Sequence, residues 1–322
     1  MVIAAGFGAT TLGGVEGALS FFFLIALVLA VLEISLSFDN AIVNANKLKD
    51  MSPVWQKRFL TWGIVIAVFG MRIVFPIMIV SIAAEVGPWA AVHIAFADPR
   101  AYAHLMEDSH LPIAAFGGTF LMMVALTFFF DQDKEVHWID VLECRLRRLA
   151  SLRGLEIAFV LIVVMGFTSF LPDHQATTFL FSAIWGLITF LAVELLGKAL
   201  DFAGRSSDLA RSGGLGAFLY LEVLDASFSF DGVIGAFALT QHLVLIAIGL
   251  GIGALYVRAM TIMLVERKTL TQFRYLEHGA FYSILALSII MFAQSLVHIP
   301  EMFTGLIGAG LIGVSVWSSV RY

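Results

Sequence analysis

The chain has 322 residues, of which 60% are hydrophobic and only 13% charged, with a mean hydropathy of +0.94. A soluble domain carries about 25% charged residues, so these figures exclude a water-soluble globular protein and place the chain in a membrane. The net charge of −5 and the scatter of basic residues among apolar runs exclude a nucleic-acid partner, and the single cysteine, Cys144, excludes an internal disulfide and a multi-thiolate metal site.

No Lys or Arg occurs in the first 16 residues, so the cationic start of a cleavable signal peptide is missing and the first apolar segment is expected to stay as a transmembrane helix. A hydrocarbon core about 30 Å thick takes about 20 apolar helical residues. That template predicts nine spans, at 17–46, 57–86, 112–130, 154–171, 177–199, 215–240, 242–265, 277–297 and 301–319. The loop 87–111 holds His93, Asp98, His104, Glu107, Asp108 and His110, which could collect cations, although polar residues in an exposed loop are ordinary. Between 131 and 153, Ile139, Leu142, Leu146 and Leu149 recur at helical spacing beside Arg145, Arg147 and Arg148. This segment reads either as a helix in the interface among anionic lipids or as a plain solvated helix. In the fifth span Glu194 lies four residues before Lys198, the spacing of a snorkelling ion pair.

With the N-terminus outside, 16 of the 19 basic residues fall in cytoplasmic loops, at the cytoplasmic ends of spans or in the C-terminus, Arg100 alone falls outside, and Arg72 and Arg258 lie deep within spans. That asymmetry is what the positive-inside rule expects. The predicted fold is an all-α polytopic membrane protein of about nine transmembrane helices, N-out and C-in, forming a single membrane domain.

Two nine-residue stretches are nearly the same: Leu32-Glu-Ile-Ser-Leu-Ser-Phe-Asp-Asn40 and Leu224-Asp-Ala-Ser-Phe-Ser-Phe-Asp-Gly232. Arg72 lies in the span after the first, Arg258 in the span after the second, and the spans that follow open with Gly118-Thr-Phe-Leu121 and Gly279-Ala-Phe-Tyr282. Four spans lie between those that carry the copies, an even number, so the halves would run oppositely through the bilayer, as in the inverted repeats of secondary transporters. The expected organisation is a first repeat at 17–130, an interfacial segment and linking helices at 131–214, a second repeat at 215–297 and a terminal helix at 298–322.

The repeated motifs set Glu33, Ser35, Ser37 and Asp39 against Asp225, Ser227, Ser229 and Asp231, each alternating with apolar neighbours. An extended stretch would point all four oxygens one way, whereas a helix would spread them. Both motif helices are therefore expected to be distorted or broken beside a shared cavity, with two intact helices as the competing arrangement. Glu33, Asp39, Glu222, Asp225 and Asp231 place five acids at depth against Arg72 and Arg258. A charge at a helix centre costs about 2.5–3.5 kcal/mol, so arginines, protons or a bound cation must compensate. Carboxylate, hydroxyl and amide oxygens, including that of Asn40, make a hard site suited to Mn²⁺, Ca²⁺ or Mg²⁺.

The strings Glu33-x-x-x-Ser-Phe-Asp-Asn40 and Glu222-x-x-Asp-x-x-Phe-Ser-Phe-Asp231 resemble the paired signatures of the TerC family of integral membrane proteins, over roughly residues 17–297. The resemblance implies tellurium resistance and export of manganese, with Glu33, Asp39, Asn40, Glu222, Asp225 and Asp231 as ion-binding residues. Ser35, Ser37, Ser227, Ser229, Arg72 and Arg258 would support them. Gly232 and Ile234 depart from the family's usual Ser and Pro, which marks a divergent branch.

The expectation is thus a divalent-cation exporter, manganese favoured, in a bacterial cytoplasmic (inner) membrane. Its partners are the bilayer and the metal ion, with no organic cofactor. A metal-holding scaffold in a stress-response complex with other proteins is the alternative. An intramembrane metalloenzyme is disfavoured because no span carries a His-Glu-x-x-His or Gly-x-Gly-Asp motif, and no nucleotide-binding loop is present.

Overall fold

The computed structural model describes residues 14–322 apart from 50, 132, 133, 135, 150–153, 205–213, 241, 268 and 298, and the side chains of some further helical residues, Asp231 among them, fall outside that description. The start of the chain, on which the signal-peptide reading rests, lies largely outside it. Every regular element among the described residues is helical. Lipid offers the backbone no hydrogen-bond partners, and a helix satisfies its own.

In chain order the helices are α1 (Gly14–Leu36), α2 (Phe38–Leu48) and α3 (Pro53–Val65), then a π-helical run, Ile66–Val74. Next come α4 (Phe75–Ala83), α5 (Pro88–Ala97), α6 (Pro99–Asp108), α7 (His110–Phe129), α8 (Asp140–Leu149), α9 (Leu155–Thr168) and α10 (Asp173–Gly204). The last are α11 (Leu215–Leu239), α12 (Leu243–Glu266), α13 (Thr269–Gln272), α14 (Leu276–Gln294) and α15 (Glu301–Arg321). Proline opens α3, α5 and α6, where its missing N–H costs nothing, and Asp98 caps α6 by accepting from Ala101 N–H at 3.1 Å.

Among the described residues five helices, within α7, α10, α12, α14 and α15, are long and apolar enough to cross a membrane, and α1 with α2 makes a sixth if that bent pair is one span. This is the architecture of an integral membrane protein. The remaining three predicted spans are helical over most of their length but fall outside that count for physical reasons. The stretch 57–86 is divided into α3, the π run and α4, and α9 has 14 residues, about 21 Å of helix against a core of about 30 Å. The third, α11, carries three acids. The loop 87–111 is mostly the two short helices α5 and α6; His104 there pairs with Asp108 at 2.9 Å on an exposed surface.

Helix α7 is the hub, packed between α10 and α14. Gly118 brings α7 so near α14 that a Cβ would lie 2.8 Å from Phe292. On the other flank α12 lies along α1, where Gly249 and Gly253 let the two backbones meet. A Cβ on Gly253 would stand 2.5 Å from Glu33 Cβ and 3.0 Å from the Ala30 carbonyl. Such small-residue crossings are how membrane helices gain packing without a hydrophobic driving force. A separate core joins Tyr102 and Met106 of α6 to Val233 and Ala236 of α11 and Ile246 of α12. Phe23, Ile82, Trp89, Phe170 and Trp185 point outward, as lipid-facing residues do. Glu194 and Lys198 form the expected exposed pair at 2.5 Å.

Helix α8 is turned differently from the expectation of one apolar stripe. Ile139 and Leu142 are exposed, Leu146 packs on the core, and the buried residue is Glu143. Its Oε2 meets Lys134 Nζ at 2.8 Å and lies 3.4 Å from both His137 and His278, while Oε1 accepts from Tyr282 at 3.1 Å. This cluster fastens the 131–149 segment to α14. Burial would raise the Glu143 carboxyl, but hydrogen bonds from His278 and Lys134, with the lysine's charge, overcome it and hold the group well below the usual carboxylate range. A pKa depressed on folding contributes stability fully above the ordinary value of 4.5 and loses it only as pH falls toward the depressed value. Glu143→Gln is expected to loosen this anchor by about 1–3 kcal/mol, seen as faster hydrogen exchange in α8. The native chain should keep its protection from pH 7 down to 4.5; equal exchange in the variant would refute the anchor.

Candidate functional site between the motif helices

The first motif breaks its helix once. At Ser37 the chain passes from α1 to α2 with a bend of 52°. The second motif lies inside α11, which runs unbroken from Leu215 to Leu239. This corrects the expectation of two distorted stretches: alternation of polar and apolar residues does not make either copy extended, because every backbone group released at this depth needs a new partner. Serines 35 and 227 follow the helical alternative, each donating to the carbonyl four residues back, Val31 and Val223, at 2.8 and 3.0 Å.

Glu33 sits just before the bend. Its Oε1 forms a buried ion pair with Arg72 and accepts from Ser37 Oγ at 2.9 Å. Glycines make room for it: beyond Gly253, a Cβ on Gly232 would come within 3.1 Å of Glu33 Oε2. Gly232, one of the two departures from the resembled signature, is therefore a position where a serine would press on a buried carboxylate.

Asn40 and Asn44, one turn apart on α2, both reach across to α11. Their Nδ2 groups donate to the same oxygen, Asp225 Oδ1, at 2.6 and 3.1 Å. Both amide oxygens are buried without a hydrogen-bond partner. Beside them lies a cavity of about 40 Å³, lined by Glu33, Ser37, Asn40, Asn44, Asp225 and Ser229, by Arg72, Arg258 and Thr261, and by Phe59 and Phe228. That is room for about three waters.

Arg258 donates to the Phe59 carbonyl, lies 4.6 Å over the Phe59 ring and shares the field of Asp225 and Glu222. Glu222 has both carboxylate oxygens buried without a hydrogen bond. A Cβ on Gly63 would stand 3.0 Å from Glu222 Oε1 and 3.3 Å from Arg258 Nη1, so carboxylate and guanidinium flank the same glycine. Around this cavity Glu33, Glu222 and Asp225 face two arginines.

Asp39 turns to the opposite side of α2. Its Oδ2 accepts from Ser283 Oγ at 2.7 Å and its Oδ1 from the Asn40 N–H at 2.8 Å. It lines a second cavity of about 20 Å³, with Phe228 as a wall common to both. The expected ligand set is thus divided: Glu33, Asn40 and Asp225 line the first cavity, Glu222 stands beside Arg258, and Asp39 lines the second. The Asp231 side chain lies outside the described residues. No three Asp, Glu, His or Cys side chains among those described are placed to hold a metal together, so any cation here would rely on amide and hydroxyl oxygens as well. The sequence reading missed Asn44, whose signal was its i+4 spacing from Asn40, and missed Phe59, Thr261, Ser283 and Thr304, which carry no signal without the fold.

No curated protein and no solved structure matches the chain. A family model described as a protein of unknown function, DUF475, matches residues 38–322, a stretch that holds only the last three residues of the first motif, Phe38, Asp39 and Asn40, but all of the second, with both arginines. The chain belongs to the DUF475 family.

Proposed function

We propose that this chain is a transporter that exports a divalent cation, manganese before calcium or magnesium, through the cavity between α2 and α11. The observation that carries the reading is the set of buried acceptors on that cavity: the Asp225 carboxylate flanked by the partnerless amide oxygens of Asn40 and Asn44. The two amide oxygens have no donor and stand beside a carboxylate, which favours a cation, and an oxygen-only ligand set suits a hard one. With all three ionised, Glu33, Asp225 and Glu222 exceed Arg72 and Arg258 by one formal negative charge, which a cation would meet. Nine spans in two inverted repeats, N-out and C-in, in a bacterial inner membrane, would supply alternating access around this point. TerC-like ancestry, and with it a tie to tellurium resistance, belongs to the same reading.

The test is flux of Mn²⁺, Ca²⁺ and Mg²⁺ in proteoliposomes of the native chain. Saturable movement of one ion above protein-free vesicles is expected. Binding without flux would leave a metal-holding scaffold instead, and neither binding nor flux would end the cation reading.

A further inference from the structure

The second cavity has a composition of its own. It is lined by Asp39 and Ser283, by Thr304 on α15, and by Ser35 and Leu36 at the last turn of α1. Asp39, Ser283 and Thr304 are all buried. Thr304 Oγ1 has no hydrogen-bond partner, although it lines the cavity. Gly308 shapes the wall: a Cβ there would lie 2.8 Å from Ser283 Oγ and 3.9 Å from Asp39 Oδ2, filling the space beside both. No Arg, Lys or His lines this cavity among the described residues, whereas both in-span arginines line the first.

The helix break sharpens the charge. Because α1 ends at Leu36, the carbonyl end of a 23-residue helix closes against the cavity and carries about half a negative charge. The opposing N-terminal end of α2 is answered by Asp39 Oδ1, which accepts from the Asn40 N–H. Asp39 Oδ2, bonded to Ser283, and the Thr304 hydroxyl line the same cavity as the last two residues of α1. Broken helices in membrane proteins bind small cations with this combination of helix C-terminus, carboxylate and hydroxyl oxygens.

We infer that this second cavity binds a single dehydrated Na⁺ ion, held by Asp39, Ser283 and Thr304 with the carbonyl end of α1. One carboxylate balances one charge, and a cavity of about 20 Å³ holds about one water-sized body. A divalent ion such as Mg²⁺ keeps several waters and needs more room. Ser283 donates its proton to Asp39 and still offers lone pairs to the ion. The two cavities share only the Phe228 wall, so binding in one would be felt in the other. Use of Na⁺ as the coupling ion rests on the transport reading above; the binding site itself does not.

The test is thermal unfolding of the purified full chain in NaCl, KCl or choline chloride at equal ionic strength. The native protein is expected to gain about 5 °C in saturating NaCl over choline chloride, with a smaller gain in KCl. Asp39→Asn and Thr304→Val should each lose the Na⁺-specific gain while unfolding cooperatively in choline chloride, and Asp225→Asn, in the other cavity, should keep it. Equal midpoints for the native chain in the three salts would overturn the proposal, as would a full Na⁺ gain in both Asp39→Asn and Thr304→Val. A Na⁺ gain with no divalent flux in vesicles would leave this site standing and remove the transport reading; divalent flux with no Na⁺ gain would do the reverse.

Discussion

On the transport reading, Asp225→Asn is expected to leave the helices in place and to lower divalent-cation binding and flux at least about 100-fold. Loss of a group that merely orients a metal ligand already costs 10–100-fold in affinity, and Asp225 is itself the carboxylate at the centre of the first cavity. The substituted amide can turn its oxygen to Asn40 and Asn44, which donate to Asp225 Oδ1 in the native chain. Its NH₂ then faces the cavity, so a donor stands where the cation needs an acceptor. The same change removes one of the two carboxylates that act on Arg258. Vesicle flux and equilibrium binding of Mn²⁺ both read the effect, and circular dichroism checks the fold. Native rates in the variant would move the ion path elsewhere.

Arg72→Met should destabilise the protein by about 3–5 kcal/mol, because it strands Glu33 as a buried charge. Both partners of that pair are almost fully buried, 4% exposed each. Ser37 donates to Glu33 as well, but one hydroxyl cannot replace a guanidinium. The double variant Glu33→Gln with Arg72→Met should recover most of the loss, since removing a buried ion pair entirely is often nearly neutral. Chemical unfolding of the single and double variants measures the coupling. Additive losses would show that the pair is not an energetic unit.

These two residues also show what the sequence disclosed. That Arg72 answers a motif acid follows from two charges in neighbouring apolar spans, which have no solvent to turn to. That the partner is Glu33 rather than Asp39 does not follow, because Glu33 lies before the bend at Ser37 and Asp39 after it, where it bonds Ser283 instead. Helices such as α7, α12 and α14 were legible because a long apolar run has one solution in lipid. The run 57–86 was not, since hydropathy sees composition and is blind to winding. Glu143 carries no sign of burial in the sequence, because its partners His278 and Tyr282 lie more than a hundred residues away along the chain. Asn44 was within reach, its spacing from Asn40 placing both amides on one helical face.

The π-helical run Ile66–Val74 places Arg72 differently from its counterpart, since Arg258 sits in regular α-helix. A π turn takes up more residues than an α turn, and each surplus residue rotates everything beyond it by about 100° about the axis. The aim of the guanidinium at Glu33 is thus set by a count of residues as much as by the identity of residue 72. Deleting one residue between 66 and 71, with no ligand, charge or glycine contact touched, would swing Phe75–Ala83 to a different azimuth from Pro53–Val65 and turn the ion pair out of register. Segment length here is a coordinate of the site.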